Sequence, residues 1–452
     1  MSSMPMSFGT QEFGEVALGD TRRTRRLIAV ADACVAHPDR TLPDKFHDPR
    51  GYHAALRLFR NPSVTHAAVL APHQSRTLDH AETHTGTVLI VHDTTDLDFS
   101  GHRTLAPQLG PIGNGGGRGL LCHNSLAVDS ATGEILGLVA QQLHVRVPVG
   151  KDEPRATKRA RATRESRLWI QALDEIGPSP EANRWVHVAD RGADSFEFVS
   201  RLVRTGERFV VRAQHDRTLS ADAKLFATAR AAEAVGGWEL KLSATPSRVA
   251  RKTWVRASLT TVTLPPPHNR KGDYPAVPIR VHVTRVWEPN PPAGVTPVEW
   301  VLLTSEEVAD LSGLRQVSEW YGGRWVIEEY HKGLKTGVGI ERLQLESRGA
   351  LDPVIGVLSV VAVALVNLRR LASGVGGGDR AAQEVVPRRW VEVLSVWRYK
   401  VVRVLSADAF VKTLARLGGW IPRKQPPGWV VLWRGWMRLH TFLELDAAIP
   451  IM

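Results

Sequence analysis

The sequence predicts an α/β protein in which a β-rich insertion interrupts the core and helical segments flank it at both ends. Three observations lead there. Apolar, β-branched runs at 87–91, 185–189 and 300–304 have the texture of buried strands, and the first two deliver a carboxylate, Asp93 and Asp190. Residues 214 to about 300 are strand-like but broken by proline clusters at 265–267 and 291–292. Helical periodicity dominates before residue 78 and after residue 346. The expected division is therefore 1–78, 79–345 with its insertion at about 214–300, and 346–452.

At 452 residues the chain is long enough for two or three domains with a full core. Its 58 Lys and Arg against 46 Asp and Glu leave a net charge of +12, which favours a polyanionic partner, nucleic acid before a membrane surface. Two cysteines, Cys34 and Cys122, make neither a disulfide framework nor a four-thiolate zinc site. The first residues lack a basic and an apolar secretion signal, and the longest apolar run, Val354 to Val366, falls short of a bilayer. A cytoplasmic, non-membrane protein is expected.

Taken in order, Asp20 reads as an N-cap, followed by Leu27, Ile28, Ala31, Cys34 and Val35 at helical spacing. Arg22, Arg23, Arg25 and Arg26 crowd the first turns, where the helix dipole favours acids. Phosphate contact and a solvated basic face both account for them. A second helix spans Gly51 to Arg60, before Asn61-Pro62. A glycine-rich loop is expected at 110–119, with neither dinucleotide nor P-loop spacing. Leu120 to Val128 and Ile135 to Val147 read as strands joined by a turn at 129–133, and Arg155 to Ile176 as a basic helix. A helix through Phe198 and Leu202 precedes a strand at Arg208 to Arg212. Thr253 to Leu264 and Val277 to Trp287 are the strands of the insertion. Val354 to Val366 reads as a buried helix, 373–379 as a loop, and Trp420, Trp429, Trp433 and Trp436 as packing or partner contacts.

Tyr321, Arg324, Glu328, Lys332 and Lys335 are spaced three, four, four and three apart. On one helix they project within an arc of about 80°. Ion pairing at i,i+4 explains part of this spacing. Gly322 and Gly323 are expected to clear space around the stripe, with Trp325 and Tyr330 beside its charges. Asp93, Asp190 and Glu328 supply oxygen donors from separate elements, a set suited to Mg²⁺ or Mn²⁺ and to phosphoryl transfer. Each alone is more often a surface acid, but three together in a basic chain favour function. Asp96, Asp98 and Asp194 read as supporting or solvated acids, and the His80/His84 pair lacks a third metal ligand.

The pattern Tyr321-x₂-Arg324-x₃-Glu328-x₆-Lys335 resembles the signature of DDE transposases of the bacterial IS-four family. The likeness extends through Ala17 to Leu27, Phe59 to Pro62, Asp93 to Thr95, Asp190 to Asp194, Arg208 to Arg212, Trp300 to Ser305 and Ala415 to Gly419. It implies an RNase H-like catalytic core holding Asp93, Asp190 and Glu328 around two divalent ions, Mg²⁺ or Mn²⁺. It further implies cut-and-paste transposition: cleavage of inverted-repeat ends through a DNA hairpin, then joining of the 3′ ends to target DNA. Tyr321, Arg324 and Lys335 match residues gripping the phosphate beside a flipped base, and Trp300 matches the aromatic on which that base stacks. Lys332, Arg212, Arg22, Arg23 and Arg26 match DNA-contacting positions. The N-terminal helices would bind DNA and the C-terminal helices would pair two subunits in a synaptic complex. Gly192 stands where the resemblance would put an acid, and the likeness is weak over about 215–295 and 372–400. Two other readings remain: a nuclease that cuts without integrating, and a non-catalytic DNA-binding relative.

Overall fold

The computed structural model describes residues 7–38, 40–46, 48–147, 157, 161, 164–180, 185–220, 223–242, 249–267, 276–372, 379–384, 386–422 and 427–448. The chain opens with four helices, α1 (Phe8–Phe13), α2 (Thr21–Ala36), α3 (Pro49–Phe59) and α4 (His66–Thr83). Each begins where a short polar side chain satisfies an exposed amide. Asp20 accepts from Arg22 N at 2.8 Å, Asp48 from Arg50 N at 2.9 Å and Thr65 from Ala68 N at 3.1 Å. Leu27, Val30, Ala31, Cys34 and Val35 form the buried face of α2.

The core is one mixed sheet. Its strands are β1 (Val88–Asp98), β2 (Gly110–Ile112), β3 (Gly117–Asp129), β4 (Ile135–His144), β5 (Trp185–Ala189) and β6 (Arg208–Arg212). β1 runs antiparallel to β3 and parallel to β5, β5 is parallel to β6, and β4 pairs antiparallel with β3. Between β4 and β5 lies α5 (Leu168–Ile176), and between β5 and β6 lies α6 (Phe196–Thr205). Among the described residues the expected basic helix from Arg155 to Ile176 is interrupted: Thr157 is helical, Arg161 and Arg164 are not, and α5 starts at Leu168 after a 3₁₀ turn at Glu165–Arg167. Most of 155–163 lies outside the described residues.

One local expectation is corrected. The glycines at 110–119 form a hairpin, with β2 antiparallel to the start of β3, instead of an open loop. Glycine is required at 119 because a Cβ there would lie 1.9 Å from the Leu97 carbonyl oxygen, a distance only a bare backbone permits. The expected β-rich insertion is present and joins the main sheet. After a small ribbon of β7 (Thr218–Ser220) and β8 (Ala223–Lys224) and helix α7 (Leu225–Ala231) come β9 (Ala234–Leu242), β10 (Arg251–Leu264), β11 (Ile279–Trp287) and β12 (Glu299–Thr304). These continue the main sheet in the order β6-β12-β11-β10-β9. Burying Val262, Leu264, Val281, Val283 and Leu303 in the same cluster as Phe198 and Phe209 favours extension over a free-standing unit.

The Tyr321–Lys335 stretch is not one helix. α8 (Leu311–Gly323) stops at Arg324, whose amide bonds back to Tyr321 O at 3.2 Å, and α9 (Trp325–Lys332) follows. A π turn at Gly333–Gly337 then widens the helix. The glycines have a different use from the one expected. A Cβ on Gly323 would stand 2.8 Å from Leu89 Cδ1, so glycine lets the helix approach β1, while Gly322 faces open space. Tyr330 is fully buried and Trp325 is about half exposed, so neither flanks the charges as a pair.

Helix α10 (Arg348–Ala372) has the length and apolarity to cross a bilayer, but 83% of its apolar window is buried inside the protein. It is a core helix, as its interrupted sequence suggests. α11 (Arg388–Tyr399), α12 (Ala407–Leu417) and α13 (Trp429–Ala448) complete the chain. Trp433 and Trp436 are buried, and Trp436 Nε1 donates to Val35 O on α2 at 2.5 Å. The expected 373–379 loop lies largely outside the described residues. α12 and α13 meet glycine to backbone: a Cβ on Gly435 would sit 1.9 Å from Leu414 O. Gly435→Ala is expected to force these helices apart at a cost of about 1–3 kcal/mol, read as a lower thermal midpoint with secondary structure retained.

Candidate active site

Asp93 enters the site from the interior of β1, a correction to its expected place at a strand end. The parallel pairing of β1 with β5 ends at His92↔Ala189, whereas pairing with β3 runs on to Asp98↔Gly119. The end of the β5 neighbour therefore opens the sheet beside Asp93 without β1 itself stopping. Asp190 stands directly after β5, where its Oδ1 accepts from Gly192 N at 2.7 Å. Glu328 projects from α9. With Thr94, Thr95, His331, Lys332, Lys335 and Thr336, the three carboxylates line one cleft of about 480 Å³.

Arg324 sits at the centre of this group. One guanidinium nitrogen donates to Asp93 Oδ2 at 3.1 Å and to Glu328 Oε1 at 3.2 Å. Arg324 and Asp93 are 11% and 14% exposed, so their contact is little screened by water, whereas Glu328 is 41% exposed. Arg324 keeps αR backbone angles at the junction of α8 and α9, so its contact with Glu328 retains the i,i+4 spacing while the same nitrogen reaches β1. Even so, negative charge prevails at Asp93. Burial first, then the neighbouring Asp190 and to a smaller extent Glu328, push its carboxyl up to about 7 against the opposing pull of Arg324.

Hard oxygen donors, crowded to the point of holding a proton, fit a divalent cation. A ring nitrogen of His331 also lies within 4.8 Å of the Asp93 and Glu328 donor atoms. Burial, then Lys335, His123 and Arg324, push the His331 imidazole down to about 3, so the ring is neutral. Its Nε2 faces Asn124 Nδ2 at 3.1 Å. His80 and His84 meet edge to face at 6.2 Å, and His84 Nε2 lies 3.6 Å from Asp129 Oδ1.

The raised Asp93 value gives a pH dependence with a definite sign. Folding favours the protonated carboxyl, so that contribution to stability is complete below the ordinary value of 3.8 and lost as pH rises through about 7. A cation competes with that proton. Divalent-ion affinity of the DNA-free protein is expected to climb up to about tenfold per pH unit below pH 7 and then level off. Calorimetry in buffers of different ionisation enthalpy would read the released proton, and Asp93→Asn would flatten the profile.

A second cluster lies on the strands beyond the cleft. Trp300 and Tyr321 meet edge to face at 5.2 Å, and Arg212 reaches the Tyr321 hydroxyl at 3.4 Å while donating to Glu299 O at 3.0 Å. Lys332 is exposed, and Lys335 lies 3.6 Å from Glu341. Arg22 is exposed and paired with Asp20, Arg26 is exposed, and Arg23 donates to Leu18 O at 2.8 Å. None of these three arginines lines the carboxylate cleft. The structure thus joins Lys332 and Lys335 to the three carboxylates, and groups Trp300, Tyr321 and Arg212 beside them.

The remaining acids have structural partners. Asp194 is buried, ion-paired with Arg217, and accepts from Gln214 N and His215 N at 2.6 and 2.8 Å. Asp96 accepts from Gly113 N at 2.9 Å, holding the β2–β3 hairpin. A Cβ on Gly192 would come within 3.1 Å of Asp190 Oδ1 and 3.2 Å of Trp169, so a larger residue there would press on the acid.

Sequence reasoning overlooked the polar layer behind Asp93. His92 stacks on His187 at 5.2 Å, its Nε2 meeting His187 Nδ1 at 2.9 Å and its Nδ1 meeting Ser125 Oγ at 2.8 Å. His123 Nδ1 meets Thr94 Oγ1 at 2.8 Å. It also missed His331, although that residue lies three positions after Glu328 on a helix, which places both on one face.

Two domain families match the chain. Residues 5–64 match transposase DNA-binding domains, and residues 155–352 match the transposase DDE domain. The second match contains Asp190 and Glu328, with Asp93 ahead of it. Among solved structures, a piggyBac transposase synaptic complex with hairpin DNA aligns over 100% of this chain and 76% of its own, at 11% identity and a TM-score of 0.38. The domain matches support a DDE transposase, hence a DNA-binding enzyme that cleaves DNA with divalent metal.

Proposed function

We propose that this chain, carrying a DNA-binding and a DDE domain of transposases, is a cut-and-paste enzyme of the IS-four family acting on inverted-repeat element ends. The Tyr321-to-Lys335 spacing supports that family, and the residues around it resemble those of the Tn-five transposase. The carrying observation is the convergence of Asp93, Asp190 and Glu328 from β1, the end of β5 and α9 on a cleft that also holds Lys332 and Lys335. The strand order β4-β3-β1-β5-β6, antiparallel then parallel, supports reading the core as RNase H-like. We assign the DNA-binding role to 1–78, the catalytic role to 79–345 and subunit pairing to 346–452. Exposed Val396, Val401, Val402, Val404 and Ile421 support an interaction surface in the last of these.

In this reading Asp93, Asp190 and Glu328 hold two divalent ions, Mg²⁺ or Mn²⁺, which when bound polarise the attacking and leaving oxygens of a phosphodiester. Lys332 and Lys335 draw the DNA backbone into the cleft. Arg324 exchanges its carboxylate contacts for a phosphate, joining Tyr321 and Lys335 in the grip. Arg212 orients the Tyr321 ring from its hydroxyl side, and the Trp300 face receives a base extruded from the duplex. Arg22 and Arg26 present exposed charge for further backbone contact. The working setting is the cytoplasm, on DNA, as a dimer that brings two ends together.

The test uses DNA with the inverted repeats that flank the coding sequence. Mg²⁺-dependent cleavage at those ends, followed by joining of precut ends to a plasmid, supports the proposal. Cleavage without joining would instead favour a nuclease, and binding without cleavage a non-catalytic relative. Trp300→Ala is expected to lower the ratio of hairpin to nicked product by about tenfold, the loss of one base-stacking contact of roughly 1–3 kcal/mol, with DNA affinity nearly unchanged. An unchanged ratio on a denaturing gel would reject the stacking role.

A further inference from the structure

We propose that His331 donates a hydrogen bond from Nδ1–H to a non-bridging oxygen of the phosphodiester held in the carboxylate cleft. The proposal rests on reading that cleft as a DNA-cleavage site, and names a residue of the machinery beyond the three carboxylates and the basic grip.

Hydrogen-bond direction is set along four buried or half-buried side chains. The Gln141 carbonyl oxygen can only accept, so His66 Nε2, at 2.9 Å, is the donor. The Gln141 amide nitrogen donates to Asn124 Oδ1 at 2.6 Å. That fixes the Asn124 amide, whose nitrogen also donates to Cys122 O at 3.1 Å. The same nitrogen lies 3.1 Å from His331 Nε2, and an amide NH₂ has no lone pair to offer there. Nε2 is therefore the acceptor, and the neutral ring carries its proton on Nδ1.

The consequence is chemical. A ring nitrogen near Asp93 and Glu328 invites the reading of His331 as a metal ligand. A ligand needs a free lone pair, and the relay leaves His331 none. What it offers is one N–H on a ring only 7% exposed, at the wall of the cleft, without a protein partner for Nδ1 among the described residues. Because the ring itself is held in the protein wall, its donor is oriented before the anion arrives, which strengthens a single directed hydrogen bond. The attacking water or hydroxyl releases its proton to solvent as the new P–O bond forms, the bond to the leaving oxygen breaks and that oxygen departs with the electron pair, while the non-bridging oxygens gain charge. His331 stabilises this charge and keeps its proton throughout. The relay runs from α4 through β4 and β3 to α9, so scaffold packing sets the tautomer before DNA arrives.

The test has two arms on the full chain. In single-turnover cleavage of inverted-repeat DNA, H331F keeps the ring shape and removes the donor. It is expected to slow cleavage on the order of 10²-fold, with DNA affinity changed by less than about twofold. H331Q, which restores an N–H, should recover part of the rate. Wild type should be slowed by one phosphorothioate diastereomer at the scissile position, and H331F should lose that dependence. Unchanged cleavage by a folded H331F would overturn the proposal, whereas cleavage by D93A would overturn the reading of the cleft. The second arm needs no activity. Pulsed EPR of bound Mn²⁺ should lack directly coordinated ¹⁴N in wild type and acquire it in N124D, whose carboxylate must accept from Nε2–H and so frees the Nδ1 lone pair. Coordinated nitrogen in wild type would overturn the tautomer assignment.

Discussion

Replacing Asp93, Asp190 or Glu328 singly by Ala is expected to reduce DNA cleavage by about 10³-fold or more while end binding persists. Charge stabilisation by a bound ion is worth several kcal/mol, and each 1.36 kcal/mol is tenfold in rate. Structural roles for the acids would give a different pattern. An acid retained only for its ion pair with Arg324 would destabilise the fold when removed. At Asp93 the balance runs the other way, since burial and the neighbouring acids make its charge unfavourable in the metal-free protein. Asp93→Asn is therefore expected to raise the thermal midpoint of that protein above pH 7 while abolishing cleavage. Stability traded for activity is a signature of a working site. Full cleavage by any of the three Ala variants, measured in Mg²⁺ on end DNA, would remove that residue from the site.

Arg324→Ala is expected to have opposite effects on the two ligands. DNA binding should weaken, and the slope of log affinity against log salt should become shallower by about one, as for a lost phosphate contact. Divalent-ion binding without DNA should tighten by about tenfold, because the guanidinium now bridging Asp93 and Glu328 competes with the cation for the same oxygens. In the wild type, DNA that draws Arg324 onto a phosphate should in turn raise metal affinity, since coupling between two ligands is reciprocal. Titrating Mn²⁺ with and without end DNA reads this directly. Equal metal affinity in both states would show that Arg324 does not move between the two partners.

Much of the chain could be read in advance because the evidence was local. Asp20 capping α2, the strand runs of β3, β4, β10, β11 and β12, and the buried α10 all follow from turn chemistry or periodicity within a short window. The candidate residues Asp93, Asp190, Glu328, Lys332 and Lys335 were legible for a similar reason, as unusual charges placed against apolar elements. Their gathering into one cleft was implied by the family resemblance and not by any local pattern, because in physical terms it depends on which strands are neighbours. Pairing also decided that Asp93 lies inside a strand and that the insertion extends the main sheet. The break at Arg324 and the π turn after Lys332 are departures from helical pitch that spacing alone cannot reveal.

The sequence by itself determined the residue types available for chemistry and the segments that carry them, since side-chain charge and hydrophobic period are properties of short stretches. Tertiary structure decided which of those groups share a site and in what state. Arg324 became a bridge between two acids only when α9 met β1, and His331 acquired its tautomer only through Asn124, Gln141 and His66 on three other elements. Burial and partner geometry set protonation and hydrogen-bond direction, and both are made by residues far apart in the chain.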